Sequence, residues 1–453
     1  MQQAVAVPVS VPRLVAFLRL MRRRIWMSVL LVGLLIGGAG VASAFHDDAE
    51  EAYVDGVAAQ EAGDMAAAIH HFTKAINADP KQVQAYHARG VARAQQKDWA
   101  GALADLTKAI ALDPAMAKAY RNRALVYAGQ DRADEAIADL THALALSPRE
   151  AEWYRDRALA WQRKGDVGAA LKDFDQAIAC NPYLGDAYGS RGQLRLAQQD
   201  ASGAIADFTK QLELHDDEAG ALTNRGVAYE HQGKLDAAAR DYSEAIARQP
   251  RASLGYRNRA RLSMTQARWQ EAVADWTAAI ALEPEAEELY RQRAHAYEQL
   301  GNLERAIVDY TAVLRLQEMP DEETATIYAV RAHLKTQQHD VEGAMADYSR
   351  AIQLDSASAE AFYNRGVLRL EQGDLDGAIE DNTQAMQLQP DDGRAYLNRA
   401  AAWQRKGALA YAIHDLGLAV QHSESAARPE LERTLDALKH QAAVPAAAPV
   451  SPP

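Results

Sequence analysis

The hydrophobic residues of this chain follow one pattern that recurs along most of its length. Between residues 49 and 426 the pattern returns every 34 residues, apart from one insertion of four. Within each repeat, apolar residues lie three and four positions apart in two blocks, which predicts two amphipathic helices separated by a break near position 15. The frame predicts eleven repeats: 49–82, 83–116, 117–150, 151–184, 185–218, 219–252, 253–286, 287–320, 325–358, 359–392 and 393–426.

Small and aromatic residues occupy fixed columns of this frame. Position 20 is alanine in all eleven repeats, aromatic residues recur at positions 4 and 24, and proline falls at position 32 in seven repeats. Proline there cannot continue a helix, so it ends the second block. The alanine methyl group allows two helix backbones to approach closely. Because a single helical hairpin cannot bury its apolar faces, we expect the hairpins to stack on one another.

These columns resemble those of the tetratricopeptide repeat, which has conserved small, aromatic and proline positions in a 34-residue unit. The resemblance covers residues 49 to about 426. It implies an all-α fold, a right-handed superhelical solenoid of helix-turn-helix repeats. Position 7, usually leucine in this family, is arginine here, as in a bacterial subtype of the repeat. One repeat shows the whole set of matching residues: Tyr120, Ala124, Tyr127, Ala136, Leu140, Ala143 and Pro148.

Two charged columns run through the array. Position 7 is arginine and position 23 is aspartate in ten of the eleven repeats, which predicts a structural ladder of Arg–Asp ion pairs. The sequence is compatible with pairing inside one repeat, or between position 23 of one repeat and position 7 of the next. Arg433, in register after the last aspartate, Asp415, favours the pairing between repeats.

The frame is altered at its end and at two interior places. Residues 429–441 predict a helix that caps the last apolar face, and the Pro/Ala-rich residues 442–453 predict a disordered tail. The acidic insertion at 319–324 predicts a longer loop between repeats. Residues 211–218 lack the usual alanine and proline, so we expect a looser junction after repeat five.

The amino end carries a basic segment followed by an apolar one. Residues 1–24 contain five arginines and no acid, and residues 25–44 are uncharged and end in Ala42-Ser43-Ala44. This layout predicts a secretory signal peptide or, alternatively, a retained transmembrane anchor. In either case the arginines stay in the cytoplasm. The repeats are therefore expected outside it, either periplasmic or secreted, or anchored to the inner membrane with the repeats outside.

Charge and motif content exclude several function classes. The formal net charge is −13, and removing the five amino-terminal arginines leaves −18 for the rest, which argues against a nucleic-acid partner. Cys180 is the only cysteine, so the chain has no internal disulfide. The sequence contains no phosphate-binding glycine loop, nucleophile elbow or metal-ligand motif. We therefore expect no enzymatic activity, no cofactor and no metal site.

The resemblance implies that the first helices line a concave groove through positions 2, 5, 6, 9, 12 and 13. Arginine at position 5 can hold the carboxylates of a peptide, and asparagine at position 6 can bond its backbone. Position 9 lacks the asparagine of the family's chaperone-binding clamp, so chaperone tails are not expected as ligands. The candidate groove residues are Arg121, Asn122, Arg155, Asn224, Arg257, Asn258, Arg291, Asn364 and Asn398.

The sequence thus predicts an exported or membrane-anchored scaffold that binds a protein or peptide in a groove built by its repeats. A docking subunit of an envelope enzyme or secretion complex is one alternative. A self-associating structural array is another. Contact with the membrane is expected only through the amino-terminal segment, and the sequence leaves the oligomeric state open.

Overall fold

The computed structural model describes residues 40–215, 218–317, 321–423 and 427–443, and every regular element in these ranges is an α-helix. The chain divides between residues 216 and 217 into two compact units. The first unit contains the helices Gly40–Glu61, Met65–Ala78, Val83–Gln95, Trp99–Leu112, Ala117–Gly129, Ala133–Leu146, Ala151–Lys164, Val167–Cys180, Gly185–Ala197 and Ala201–Leu214. The second unit contains Ala219–His231, Leu235–Arg248, Ser253–Thr265, Trp269–Leu282, Glu287–Gln299, Leu303–Leu316, Glu322–Gln337, Val341–Leu354, Ala359–Gln372, Leu375–Leu388, Gly393–Arg405, Leu409–His422 and Arg428–Ala443.

A left-handed residue at position 15 reverses the chain between the two helices of each repeat. Glycine, which adopts this conformation without strain, occupies the position in six repeats, with φ of 87° at Gly165. In five other repeats a residue with a side chain takes the same conformation, with φ of 55° at Ala267. The next residue caps the second helix where it is aspartate, as when Asp98 accepts a hydrogen bond from the backbone N–H of Gly101. The two helices therefore lie antiparallel after a turn of a few residues.

The hairpins stack through the columns that the sequence predicts. All eleven position-20 alanines have 0% exposure, and the position-24 rings of Phe174 and Tyr242 are equally buried. Position 4 holds the next hairpin in place, because the hydroxyl of Tyr154 donates to the carbonyl oxygen of Pro148, at the end of the preceding repeat, at 3.3 Å. Each unit is thus an all-α solenoid of helix-turn-helix repeats, which confirms the predicted fold class.

The helices depart from the predicted boundaries at the insertion and at the carboxyl end. The inserted residues were expected to lengthen a loop, but Glu322 already begins the first helix of repeat nine. Asp321 and Thr324 form a capping box there, in which each side chain bonds the other's backbone N–H, and this box extends the helix backwards. The capping helix spans Arg428–Ala443, so residues 442 and 443 are helical rather than disordered.

Other predictions concern residues that lie wholly or partly outside the described ranges. The basic segment 1–24, residues 25–39 of the predicted signal or anchor, and the tail from residue 444 are all outside them. Residues 40–44 belong to the helix Gly40–Glu61. No helix in the described part of the chain is both long enough and apolar enough to cross a membrane.

Candidate peptide-binding surface

The position-7 arginines pair with the position-23 aspartates of their own repeats. In repeats two to eleven, Nε and Nη2 of the arginine donate to Oδ2 and Oδ1 of the aspartate 16 residues later, at 2.6–3.0 Å. The preference for pairing between repeats was therefore wrong. Asp415 binds Arg399, whereas Arg433 donates to the carbonyl oxygen of Pro429 in its own helix.

The arginine nevertheless joins two repeats, through a residue that the sequence reasoning missed. Its remaining nitrogen, Nη1, donates to the position-25 side chain of the preceding repeat, as Arg157 does to Thr141 at 3.1 Å. The Thr141 hydroxyl donates in turn to the carbonyl oxygen of Ile137, so it meets the guanidinium as an acceptor. The signal was present in the sequence, because position 25 is threonine, serine or aspartate in ten repeats and becomes glycine, Gly417, in the last repeat.

These ion pairs are shielded from solvent. The side chain of Asp173 is 6% exposed and that of its partner Arg157 is 18% exposed. In repeat three, the hydrogen bonds to Asp139 raise the pKa of Arg123 above its usual value. A fork of two parallel bonds is the strongest pairing available to these groups. We refer to the position-7, position-23 and position-25 side chains together as the arginine ladder.

Two candidate groove residues of the first unit, Arg121 and Arg155, bind one buried carboxylate. Arg121 Nε donates to Asp156 Oδ2 at 3.0 Å, and Arg155 Nη2 donates to Asp156 Oδ1 at 2.9 Å. Two guanidinium groups therefore share a carboxylate whose side chain is 6% exposed. Asn122, on the same helix as Arg121, bonds the ring of His87 in the preceding repeat at 2.7 Å. The prediction did not anticipate Asp156 at position 6, where five other repeats have asparagine.

Apolar side chains lie beside these arginines on the same helical faces. Leu125 and Leu159 follow Arg121 and Arg155 by four residues, which places each pair one turn apart on one face. Leu125 is 38% exposed, and Leu159 and Val91 are partly exposed. The first helices of repeats two to four thus present an apolar row next to a cluster with more guanidinium groups than buried carboxylates. We call this row and the Arg121–Arg155–Asp156 cluster the first-helix surface.

The candidate residues of the second unit are spread over five repeats. No hydrogen bond joins any two of these six residues within the described part of the chain. Arg291 contacts Glu287 of its own helix and Glu323, and Arg257 lies 3.5 Å from Glu283. Asn364 donates to Glu360 at 3.2 Å. The six residues are Asn224, Arg257, Asn258, Arg291, Asn364 and Asn398.

Two donor atoms of these candidates, the Asn398 amide nitrogen and Arg291 Nε, are buried and have no hydrogen-bond partner among the described residues. Buried, unpaired donors cost free energy. Groups of three or more His, Cys, Asp or Glu placed to hold a metal ion do not occur among the described residues. Cys180 is exposed at the end of its helix.

Solved structures with the same repeat architecture resemble parts of this chain. YrrB, described as a TPR protein with an unusual peptide-binding site, is 23% identical over 41% of this chain and 95% of its own, with a TM-score of 0.37. A tetratricopeptide repeat protein from Parabacteroides merdae is 21% identical over 67% of this chain and 98% of its own, with a TM-score of 0.37. PilF from Pseudomonas aeruginosa is 19% identical over 48% and 99%, with a TM-score of 0.43. None of the curated proteins matches the chain.

Family models match the repeats directly. Tetratricopeptide repeat models cover residues 219–251, 257–323 and 359–392, and a TPR repeat model covers residues 332–373. The model of the ETO1 C-terminal domain covers residues 57–189. The matches at 219–251 and 359–392 begin where repeats six and ten of the 34-residue frame begin. The chain therefore contains tetratricopeptide repeats.

Proposed function

We propose that this protein is a scaffold that binds an extended segment of a partner protein along the first-helix surface of repeats two to four. The Arg121–Arg155–Asp156 cluster carries the proposal. One buried carboxylate accepts from both arginines, so the two guanidinium groups keep donors for a second carboxylate. Glu152 and Asp186 lie 3.9 and 3.6 Å from these arginines and are largely exposed, so a ligand carboxylate can replace them at small cost.

The neighbouring apolar row sets the second requirement for the ligand. Side chains of an extended peptide alternate in direction, so residues two positions apart point the same way. An acidic residue can therefore face the arginines while an apolar residue two positions along faces Leu125. Burial of the exposed leucine surface would contribute affinity, and the arginines would fix register and direction. The ligand expected at this surface is therefore an acidic segment with interspersed apolar residues.

Charge reversal at this surface tests the proposal. The tagged full chain is used to capture partners from envelope extracts, and the partner is then purified and titrated against each variant. Arg155→Glu is expected to weaken binding at least tenfold, because it places a carboxylate against both Asp156 and the ligand. Arg149→Glu makes the same charge change at an exposed position and is expected to bind as the wild type does. Equal affinity of Arg155→Glu and wild type would contradict the assignment.

A separate variant tests the candidate residues of the second unit. Arg291→Glu in the same titration asks whether Arg291 and its neighbours contribute to binding. If Arg291→Glu alone loses the partner while Arg155→Glu retains it, the binding surface lies in the second unit rather than the first. Either result is read against circular dichroism spectra, which report whether the helices remain folded.

The proposal places the repeats outside the cytoplasm. The basic segment 1–24 followed by the uncharged residues 25–44 supports export, as a signal peptide or an anchor. A carboxyl-terminal alkaline phosphatase fusion, which is active only after export, is expected to be active. Mass spectrometry of the purified chain separates the two forms, since cleavage after Ala44 leaves Phe45 as the first residue. An inactive fusion that fractionates with cytoplasmic proteins would overturn this part of the proposal.

A further inference from the structure

A cavity of about 310 Å³, half open to solvent, lies between repeats six and seven of the second unit. The second helix of repeat six forms one wall, and the two helices of repeat seven form the others. Ser263, at position 11 of repeat seven, lines the cavity together with Arg259 and Asp275 of the arginine ladder. The volume is at the lower end of the range for pockets that hold small ligands.

The cavity exists because position 11 of repeat seven is small. In the other nine repeats that carry the arginine ladder, position 11 has a large side chain. Four of these side chains are cationic and five are aromatic. The cationic residues are Arg93, Arg195, Lys335 and Arg369, and the aromatic residues are Tyr127, Trp161, Tyr229, Tyr297 and Trp403.

The residues at positions 16 and 19 differ between the two types of repeat. All four cationic repeats have aspartate at position 16 and glycine at position 19. In repeat two, Arg93 Nη1 donates to Asp105 Oδ2 at 2.7 Å, and a Cβ atom on Gly101 would lie 2.9 Å from Arg93 Cδ. The glycine therefore makes room for the cation. Repeat seven has Arg268 and Glu271 at these positions, so it lacks both the aspartate and the space.

Repeat three shows which side chain the residues at positions 7, 16 and 19 of repeat seven can contact. It is the other repeat with arginine at position 16 and glutamate at position 19, and its position 11 is Tyr127. The Tyr127 ring centroid lies 4.5 Å from Cζ of Arg132 and 5.9 Å from Cζ of Arg123. Arg132 is itself held by Glu135 at 2.6 Å. The tyrosine ring thus contacts two guanidinium groups, each of which is paired with a carboxylate.

Repeat seven has the same two arginine–carboxylate pairs but no aromatic ring at position 11. Arg259 is paired with Asp275 at 2.7 Å, and Arg268 is paired with Glu271 at 3.3 Å. Because both arginines have a carboxylate, the cavity has no surplus charge that would attract an anion or a cation. Guanidinium groups still attract the face of an electron-rich ring.

We propose that this cavity binds a neutral aromatic ring of the phenol type, in the place that the Tyr127 side chain fills in repeat three. The ring packs against Arg259 and Arg268 and occupies the space above Ser263. Position 11 lies four residues from position 7 on the same helical face, and at 100° per residue positions 5 and 9 lie about 120° to 160° around the helix from positions 7 and 11. The cavity is therefore separate from the first-helix surface and does not depend on the function proposed for it.

Equilibrium dialysis of the full chain with 4-methylphenol tests the proposal. The wild type is expected to bind at one saturable site. Ser263→Tyr fills the cavity from within and is expected to weaken binding at least tenfold, whereas Ser263→Ala leaves the cavity open and is expected to bind within twofold of the wild type. The absence of a saturable site in the wild type, or equal binding by Ser263→Tyr, would overturn the proposal.

A variant in the first unit gives an independent measurement, which does not require Ser263→Tyr to fold. Tyr127→Ser removes the ring from the matching place in repeat three and is expected to raise the number of bound 4-methylphenol molecules from one to two. An unchanged number in the folded variant would contradict the inference that the Arg123–Arg132 surrounding holds a ring.

The ring can come from a free phenol or from a tyrosine side chain, and a further titration separates these sources. The peptide Gly-Gly-Tyr-Gly-Gly is compared with 4-methylphenol, and Gly-Gly-Leu-Gly-Gly serves as the control for binding without a phenol. Peptide binding at least tenfold tighter than that of 4-methylphenol identifies a tyrosine side chain as the occupant. Equal or weaker binding identifies a free phenol. Equal binding of the leucine and tyrosine peptides, with none of 4-methylphenol, would overturn the assignment of a phenol ring.

Discussion

The two faces of the first helices differ in how their charges are used. On one face, position 7 is arginine in ten repeats, and each of these arginines binds a largely buried aspartate of its own repeat in the same geometry. On the other face, positions 5 and 6 change from repeat to repeat. Arg155 there shares Asp156 with Arg121, and its other acidic neighbour, Asp186, is mostly exposed.

The difference separates a structural role from the proposed binding role. A buried charge must be paired wherever it occurs, so each arginine of the ladder binds the aspartate of its own repeat in the same geometry. On the opposite face Asp156 is also buried but has two arginine partners, and the other acidic neighbours of these arginines, Glu152 and Asp186, are exposed, where pairs are weak and exchange of a partner costs little. Variation along that face is therefore compatible with the same fold, and under the proposed function it changes what the protein binds.

The largest effect is expected from removal of one ladder arginine. Arg157→Ala strands Asp173, whose side chain is 6% exposed, and is expected to lower the free energy of unfolding by about 3–5 kcal/mol. Arg155→Ala, two residues away on the other face, leaves Asp156 paired with Arg121 and is expected to cost about 1 kcal/mol or less. Urea denaturation followed by circular dichroism measures both values. Similar losses in the two variants would abolish the distinction between the faces.

A smaller effect is expected when the charge is kept and the fork is removed. Arg157→Lys retains a cation beside Asp173 but cannot make two parallel bonds to it and a third to Thr141. The expected loss is about 2 kcal/mol, between wild type and Arg157→Ala. A lysine variant as unstable as the alanine variant would show that geometry, and not charge, accounts for the whole contribution.

The bond between repeats is expected to contribute less again. Thr141→Val preserves the shape of the side chain and removes the acceptor for Arg157 Nη1, at an expected cost of about 1 kcal/mol. Thr434→Val is the matched control, because the Thr434 hydroxyl also bonds a carbonyl of its own helix but lies exposed in the capping helix. If both substitutions had the same effect in urea denaturation, the Thr141–Arg157 bond would have no role in stacking.

The smallest effect is expected from His87, on the variable face. Burial lowers the pKa of His87, and the charge of Lys118 acts in the same direction. The unfolded chain therefore takes up a proton more readily than the folded chain, so stability is complete above about pH 6.5, the ordinary value for histidine, and falls as the pH drops below it. His87→Gln is expected to reduce the slope of unfolding midpoint against pH between 7.5 and 5. Parallel curves for variant and wild type would contradict this assignment.

The sequence alone determined the architecture. The 34-residue period, the alanine at position 20 and the proline at position 32 predict stacked helical hairpins, because helix periodicity and chain reversal depend on local residue choice. The break near position 15 also follows from the sequence, because glycine occupies that position in six repeats and aspartate or asparagine at position 16 caps the second helix in seven. The insertion before residue 325 was the exception, because the Asp321–Thr324 capping box favoured extending the helix over lengthening the loop.

The tertiary structure alone decided which charges meet. Along the helix axes, position 7 lies level with position 23 of its own repeat and also with position 23 of the preceding repeat. Only the packing of the helices places it against the aspartate of its own repeat. The same packing placed Thr141 against Arg157, Asp156 between Arg121 and Arg155, and a cavity beside Ser263. Each of these contacts joins residues of different helices. Periodicity along one helix fixes the face on which a side chain lies, but the distance between two faces depends on how the helices pack.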